Sequence, residues 1–300
     1  MYPRNLNIRR KPAIIPRRNL FAALLASFTS AARAPTLARF FISVQGAALL
    51  LDARSRRLIA IHAPSTATRF LTPPGSTLKP FVLAALLRAG KLTAAESLPC
   101  PRRLRIAGRR LDCVHPPLDA PLRVETALAY SCNCFVARVA ERFAPGELAG
   151  ELARAGFSSA TGLVAHEAAG RIRPAANPDA RRLLALGEDG ILITAAELAL
   201  AYRTLALNAS RPEMQPILAG LEGAVEYGTA QRAQVAGVKV AGKTGSVLAE
   251  TGAPLAWFAG FLPSRAPEVV VAVMLEGRSG GADAAPVAGQ ILAAYRAGRL

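Results

Sequence analysis

Val238-Lys-Val-Ala-Gly-Lys-Thr-Gly245, Leu255-Ala-Trp-Phe-Ala-Gly-Phe-Leu262 and Glu268-Val-Val-Val-Ala-Val-Met-Leu275 decide the fold class of this 300-residue chain. Each is a short apolar run bounded by Gly, Ser or Pro, the pattern of successive strands. Near the other end, Ala47-Ala-Leu-Leu-Leu-Asp52 and Arg57-Leu-Ile-Ala-Ile-His62 are two more such runs, joined by a polar turn, and predict a β-hairpin. Residues 120–210 are rich in Ala and Leu at helical spacing, with breaks at Pro145-Gly146, at Arg173 to Pro178 and at Asn208. A last amphipathic helix is predicted from Pro286 to Arg296. This order predicts a mixed α/β (α+β) fold. The first hairpin and the last three strands form one antiparallel five-stranded sheet, flanked by helices and accompanied by an all-helical lobe. No internal repeat or linker divides residues 35–300, which are read as one domain.

With 52% hydrophobic residues, a chain of this length buries about three quarters of its unfolded surface, so folding needs neither disulfide nor metal. Net charge is +17, unevenly spread. Residues 1–34 hold seven basic side chains and no acid, which leaves thirty basic against twenty acidic residues beyond them. Such an excess favours anionic surfaces, cell-wall polymers and membranes among them. No basic run interleaved with aromatics accompanies it, so nucleic acid is not an expected partner.

The first residues have the order of an export signal: a basic stretch, the apolar Leu20-Phe-Ala-Ala-Leu-Leu-Ala-Ser-Phe28, then small residues ending Ala32-Arg33-Ala34. The apolar part falls short of the roughly 20 residues that span a bilayer. Residues 1–34 are read as an export signal or N-terminal anchor. Arg17-Arg18 also fits a twin-arginine signal. The remainder is then expected in the periplasm or on the envelope side of the cytoplasmic membrane, with membrane association through the N-terminus as the other use of that segment.

Three short motifs carry chemistry. Ser76-Thr-Leu-Lys79 opens a predicted helix, running to Ala89, just after Pro73-Pro74-Gly75. Three residues along a helix return to nearly the same face, so Lys79 can reach Ser76 and take its proton. The positive end of the helix favours a neutral amine and stabilises negative charge near Ser76. Ser131-Cys132-Asn133 sits between helical segments and presents a hydroxyl that can relay a proton and an amide that can hold a peptide group. Lys243-Thr244-Gly245-Ser246, at the end of an apolar strand, offers a positive charge and a hydroxyl suited to a carboxylate. Gly245 is expected to let a substrate backbone approach the strand. Only five of the 37 basic residues are lysine, and two of the five stand at 79 and 243. Arginine cannot replace Lys79, because a guanidinium keeps its proton.

Four cysteines remain, at 100, 113, 132 and 134. Cys100 and Cys113 close a predicted hairpin that turns near Ala107-Gly108, and in an exported protein they are expected to pair as a disulfide. Cys132 and Cys134 are read as small buried hydrophobes. A zinc site drawn from Cys113, His115 and the Cys132/Cys134 pair fits no standard ligand spacing, so neither metal nor cofactor is expected.

Ser-x-x-Lys, Ser-x-Asn and Lys-Thr-Gly in this order resemble the signature of penicillin-binding proteins and serine β-lactamases. Similarity to penicillin-binding transpeptidases extends to Thr72-Pro-Pro-Gly-Ser-Thr-Leu-Lys-Pro-Phe81, Ala129-Tyr-Ser-Cys-Asn-Cys-Phe135, Ile193-Thr-Ala-Ala-Glu-Leu-Ala-Leu-Ala-Tyr202, Tyr227-Gly-Thr-Ala230 and Trp257-Phe-Ala-Gly-Phe261. It covers about residues 45–295. The resemblance implies a β-lactamase/transpeptidase-like fold and a D,D-transpeptidase or D,D-carboxypeptidase that acts on D-Ala-D-Ala stem peptides and binds β-lactams covalently. It makes Ser76 the nucleophile, Lys79 its base and Ser131 the proton shuttle. Asn133, Lys243, Thr244 and Gly245 would bind substrate, and the backbone N–H groups of Ser76 and Ser246 would form the oxyanion hole. Peptidoglycan is the implied substrate, with cell-wall or divisome proteins as further partners. A serine β-lactamase and a penicillin-sensing module use the same acylation. The non-catalytic N-terminal domains and the glycosyltransferase of larger members find no counterpart in the sequence, so no polymerisation of glycan strands is expected. Glu167 does not lie in surroundings like those of a deacylating glutamate.

Overall fold

In a computed structural model, residues 36–300 are described. The signal or anchor read over residues 1–34 lies outside the described residues. Strands β1 (Gly46–Asp52) and β2 (Leu58–His62) come first, followed by helices α1 (Pro64–Arg69) and α2 (Lys79–Arg88). A small ribbon of β3 (Arg105–Ile106) and β4 (Arg109–Arg110) precedes α3 (Val124–Ala129), α4 (Asn133–Ala140) and α5 (Glu147–Arg154). Next come β5 (Arg171–Ile172), α6 (Pro178–Leu186), β6 (Ile191–Leu192), α7 (Ala195–Asn208) and α8 (Gln215–Glu226). The chain closes with β7 (Ala241–Leu248), β8 (Pro254–Leu262), β9 (Val269–Glu276) and α9 (Ala285–Arg296).

The five long strands form one antiparallel sheet in the order β2-β1-β9-β8-β7. The opening hairpin therefore joins the closing strands through β1 and β9, with Gly46 opposite Leu275 and Asp52 opposite Val269. Val269 to Leu275 is buried at every residue. Such a run arises where both faces of a strand are covered, so the usual apolar–polar alternation disappears. Leu49, Leu51, Trp257, Phe261 and Ala272 pack on the face that carries the helical lobe. Leu50, Phe258, Val271 and Val273 pack with Ile291 and Leu292 of α9 on the other.

The predicted breaks hold: α5 starts after Gly146, α6 starts at Pro178 and α7 ends at Asn208. Asn177 caps α6, its Oδ1 accepting from Ala180 N at 2.8 Å. Thr194 and Glu197 cap each other's backbone at the start of α7, at 3.1 and 2.8 Å. Two elements depart most from expectation. The strand expected from Val238 begins at Ala241, because Val238 is used in a tight bridge with Val235 and β7 pairs only where β8 runs opposite it. Lys243-Thr244-Gly245 thus lies inside an edge strand that continues to Leu248. The helix expected from Ser76 opens as a 3-10 turn over Gly75–Leu78 and becomes α-helical at Lys79.

Candidate active site

Ser76 stands on a segment fixed from several directions. Thr72 exchanges backbone hydrogen bonds with Ile193 at 2.9 and 3.0 Å. The indole Nε1 of Trp257 donates to Pro73 O at 3.1 Å, and the Tyr202 hydroxyl donates to Thr77 O at 2.9 Å. Both rings are fully buried, so each satisfies a carbonyl that water cannot reach. Gly75 N donates to Gly187 O at 3.0 Å. Both glycines have left-handed backbones, φ 55° and 71°. A β-carbon on Gly187 would collide with Gly75 O, and one on Gly75 with Val247 Cγ1. Bare backbone at these two positions is what lets the Ser76 turn settle against β7. Ser76 itself remains half-exposed.

Lys79, one turn on, is fully buried. Its Nζ donates to Ser131 O at 2.7 Å, to Ser131 Oγ at 3.2 Å and to Asn133 Oδ1 at 2.5 Å. Those three bonds use all three ammonium hydrogens, and among the described residues none goes to Ser76. Burial pulls the amine down from its usual range to about 8, opposed by the neighbouring Cys132 and Cys113 sulfurs and by Glu188. Loss of one proton leaves two N–H donors and a lone pair able to accept a proton. Ser131 has φ 56°, a left-handed conformation uncommon for a residue with a side chain. It lies between α3 and α4 and turns its hydroxyl and carbonyl toward the amine. Asn133 Nδ2 donates to Leu111 O at 3.0 Å, which leaves one amide hydrogen for another acceptor.

On β7, Lys243 is also fully buried, and its Nζ donates to Thr244 O at 3.0 Å. Burial, then the nearby charge of Lys79, hold this amine well below the usual lysine range. An anion entering between the two amines would reverse that shift. The Thr244 hydroxyl donates to Thr229 Oγ1 at 2.8 Å. Thr229 belongs to Tyr227-Gly-Thr-Ala230, a stretch noted for its resemblance without a task of its own. Gly245 has a packing role as well: a β-carbon there would stand 2.8 Å from Pro74 O and 3.1 Å from Thr77 Cγ2. Its bareness lets β7 pack on the Ser76 segment. Ser246 is exposed at this seam, and its Oγ accepts from Gly280 N at 3.0 Å.

The hairpin between Cys100 and Cys113 forms as expected, with β3 and β4 joined through Ala107 and Gly108. The expected disulfide is not formed. All four cysteines are free, and Cys100 Sγ lies 3.6 Å from Cys113 Sγ and 3.4 Å from Cys132 Sγ. Cys132 and Cys134 are buried as expected, but against sulfur: both lie within 3.7 Å of Cys113 Sγ. Hydrogen bonds from the Cys132 and Cys134 thiols, helped by Cys134 N, push the Cys113 thiol down toward thiolate.

Two glutamates part company here. Glu167 spends both carboxylate oxygens on the 161–164 loop, accepting from Thr161 Oγ1 and from the N–H groups of Gly162, Leu163 and Val164 at 2.7 to 3.0 Å. Glu188, unremarked in the sequence, follows Gly187 and pairs with Arg109 at 3.0 Å. Burial raises its carboxyl, opposed by Arg109 and then Lys79. Nothing local to its sequence marks it; only the packing of Gly187 on Gly75 brings it near the amine. With Pro73, Arg109, Arg171 and Arg173 it lines a groove of about 440 Å³.

A turn-borne serine and a buried amine held at low pKa thus lie against a sheet edge that carries a second buried amine. The family description "Penicillin binding protein transpeptidase domain" matches residues 46–293, and the chain belongs to that family. It is 29% identical over 270 residues to the peptidoglycan D,D-transpeptidase PbpA of Mycolicibacterium smegmatis (strain ATCC 700084 / mc(2)155), covering 74% of this chain and 54% of the relative. The chain thus spans about half the length of the curated relative it matches. Pseudomonas aeruginosa PBP2, solved in complex with WCK 5153, superposes with a TM-score of 0.76 at 21% identity, over 86% of this chain and 72% of that one. The TP domain of Burkholderia pseudomallei penicillin-binding protein 3 gives 0.76 at 22%, over 88% and 91%. At such identities the likeness is one of fold.

Proposed function

We propose that the chain is a serine acyltransferase of the D,D-transpeptidase or D,D-carboxypeptidase type, acting outside the cytoplasm on D-Ala-D-Ala stem peptides of peptidoglycan. The observation that carries this reading is the Lys79 amine: fully buried, held near pKa 8, and bonded to both members of the Ser131/Asn133 pair. A base poised near the working pH combines a useful neutral fraction with a real driving force for taking a proton.

Neutral Lys79 takes the Ser76 proton as Oγ adds to the penultimate D-Ala carbonyl. The oxygen that becomes negative is received by the backbone N–H groups of Ser76 and Ser246, a large term in acyl transfer. Ser131 passes a proton to the departing D-Ala nitrogen and recovers one from Lys79. The C–N bond breaks and an ester on Ser76 remains. An amine of a second stem peptide, or water, attacks that ester, and the proton returns by the same route. Lys243 and Thr244 hold the terminal carboxylate, whose charge restores that of Lys243. Asn133 offers its remaining amide hydrogen to the substrate backbone. A β-lactam enters by the same step, and with Glu167 committed to its loop its ester is long-lived.

Release of D-Ala from a synthetic acyl-D-Ala-D-Ala peptide, with and without an acceptor amine, tests the reading. Wild-type chain releases D-Ala and Ser76→Ala does not. No release from the folded wild type, or equal release from Ser76→Ala, overturns it.

A further inference from the structure

Outside the acyl-transfer machinery, three distant stretches of chain bring sulfur and imidazole donors together beneath the Ser131 turn. Cys100 and Cys113 come from the two ends of the β3–β4 hairpin, His115 from just beyond it, and Cys132 from the start of α4. Their donor atoms all lie within 4.8 Å of one another. The Cys100–Cys113, Cys113–Cys132 and Cys100–Cys132 sulfur separations are 3.6, 3.7 and 3.4 Å, and His115 Nε2 is 3.5 Å from Cys100 Sγ. Tetrahedral zinc with Zn–S of about 2.3 Å sets neighbouring sulfurs about 3.8 Å apart, close to this triangle. From these observations we propose a four-coordinate zinc site made by Cys100, Cys113, His115 and Cys132.

Two independent features point the same way. The other imidazole nitrogen, Nδ1, lies 2.8 Å from Pro116 O, so its proton goes there and Nε2 keeps a lone pair facing the sulfurs. A carbonyl on the far nitrogen is the usual partner of a metal-bound histidine. Backbone N–H groups also aim at sulfur: Cys134 N at Cys113 Sγ, 3.5 Å, and Phe135 N at Cys132 Sγ, 3.4 Å. These belong to the first turn of α4, whose positive end favours thiolate. A disulfide explains the cluster less well. Cys100 is nearly equidistant from Cys113 and Cys132, and either bond would strand the remaining sulfur and the histidine. Zinc uses all four donors, displaces the protons still held by the thiols and changes no oxidation state. Cys134, 3.6 Å from Cys113, falls outside the mutual set, and its thiol instead faces Arg103 O at 3.8 Å.

With all four positions filled by protein, the site is structural and has no place for substrate. Its consequence lies in its neighbours. Cys132 is the central residue of Ser131-Cys132-Asn133, and Asn133 already bonds Leu111 of the hairpin. The ion would clamp this turn, left-handed backbone included, to the 100–115 segment and so fix the two side chains that hold the Lys79 amine. Cys132 is then a positioning residue.

Elemental analysis of the full chain, expressed with zinc and purified without chelator, tests the proposal without reference to acylation. About one zinc per chain is expected, at least tenfold less in Cys113→Ser and Cys132→Ser, and undiminished zinc in Cys134→Ser. Should the serine variants not fold, mercurial titration of wild-type thiols decides, with about one equivalent of zinc released as the cysteines are capped. Metal-free folded wild type, a Cys100–Cys113 disulfide in a non-reduced peptide map, zinc retained in Cys113→Ser, or zinc lost from Cys134→Ser would each overturn the assignment.

Discussion

The Thr72–Lys79 segment and the Ser131–Asn133 turn both serve the Lys79 amine, yet they are held by different means. The first is tied by main-chain bonds to Ile193 and Gly187, by the Trp257 indole and Tyr202 hydroxyl, and by two glycines packed backbone to backbone. Every tie is a strong donor or a steric fit inside a packed core. The second has one residue in left-handed backbone, a sulfur atom as its helix cap and a floor of thiols. Ser131 N and Cys132 N also donate to Leu128 O and Ala127 O at 3.1 and 2.8 Å, and Asn133 Nδ2 to Leu111 O, but sulfur is a weak acceptor, so the remaining contacts of this turn are the weaker ones. The proposed nucleophile stands on a segment built into the core, while the turn of the proposed relay rests in part on sulfur.

The largest break should come at the amine that both regions share. Lys79→Arg keeps the charge but cannot supply a neutral base, and acylation by a fluorescent penicillin should slow by about a thousandfold, roughly 4 kcal/mol. A variant within tenfold of wild type would remove Lys79 from the role of base.

Within the first region, Gly187→Ala puts a methyl into Gly75 O and requires left-handed alanine. Overpacking and the unfavourable backbone together should cost about 3 kcal/mol, seen as a lower denaturant midpoint and slower penicillin labelling. Trp257→Phe is milder. It leaves Pro73 O buried and unpaired, at about 1–3 kcal/mol, and retains the ring packing. If thermal unfolding of Trp257→Phe matched wild type, the indole bond would not be a tie of the kind described.

The smallest effect is in pH. Lys79 acts as a base only when neutral, so with its amine near 8 the acylation rate should climb about tenfold from pH 7 to pH 9. The same depressed value gives stability of matching sign. Between about 8 and the ordinary lysine range the unfolded chain holds the extra proton, so this group makes folding more favourable as pH rises. A flat rate profile over that interval would contradict the buried-base assignment.

Much of this was legible in residues 238–275 and in the three motifs, because strand patterning and short-range spacing are local properties. The apolar run at 268–275 read as a strand and forms one over Val269–Glu276, and Ser76 and Lys79 lie three apart in the chain. What stayed hidden depends on contacts between distant residues. Glu188 reaches the amine only through Gly187 on Gly75, and Thr229 matters through Thr244. The packing role of Gly245 was hidden too, since only the fold brings Pro74 and Thr77 against it. The cysteines misled most: Cys100 and Cys113 are close in sequence and suggested a pair, whereas Cys132 approaches from a separate helix and makes a cluster.

The most direct test of the central assignment, Ser76 as a nucleophile served by Lys79, is intact-mass and peptide-level mass spectrometry after incubation with benzylpenicillin. One penicilloyl group should appear on the wild-type chain, localised to the peptide that contains Ser76, persist for minutes or longer, and be absent from Ser76→Ala. An adduct that forms equally in Ser76→Ala, or that maps to another residue, would contradict the account.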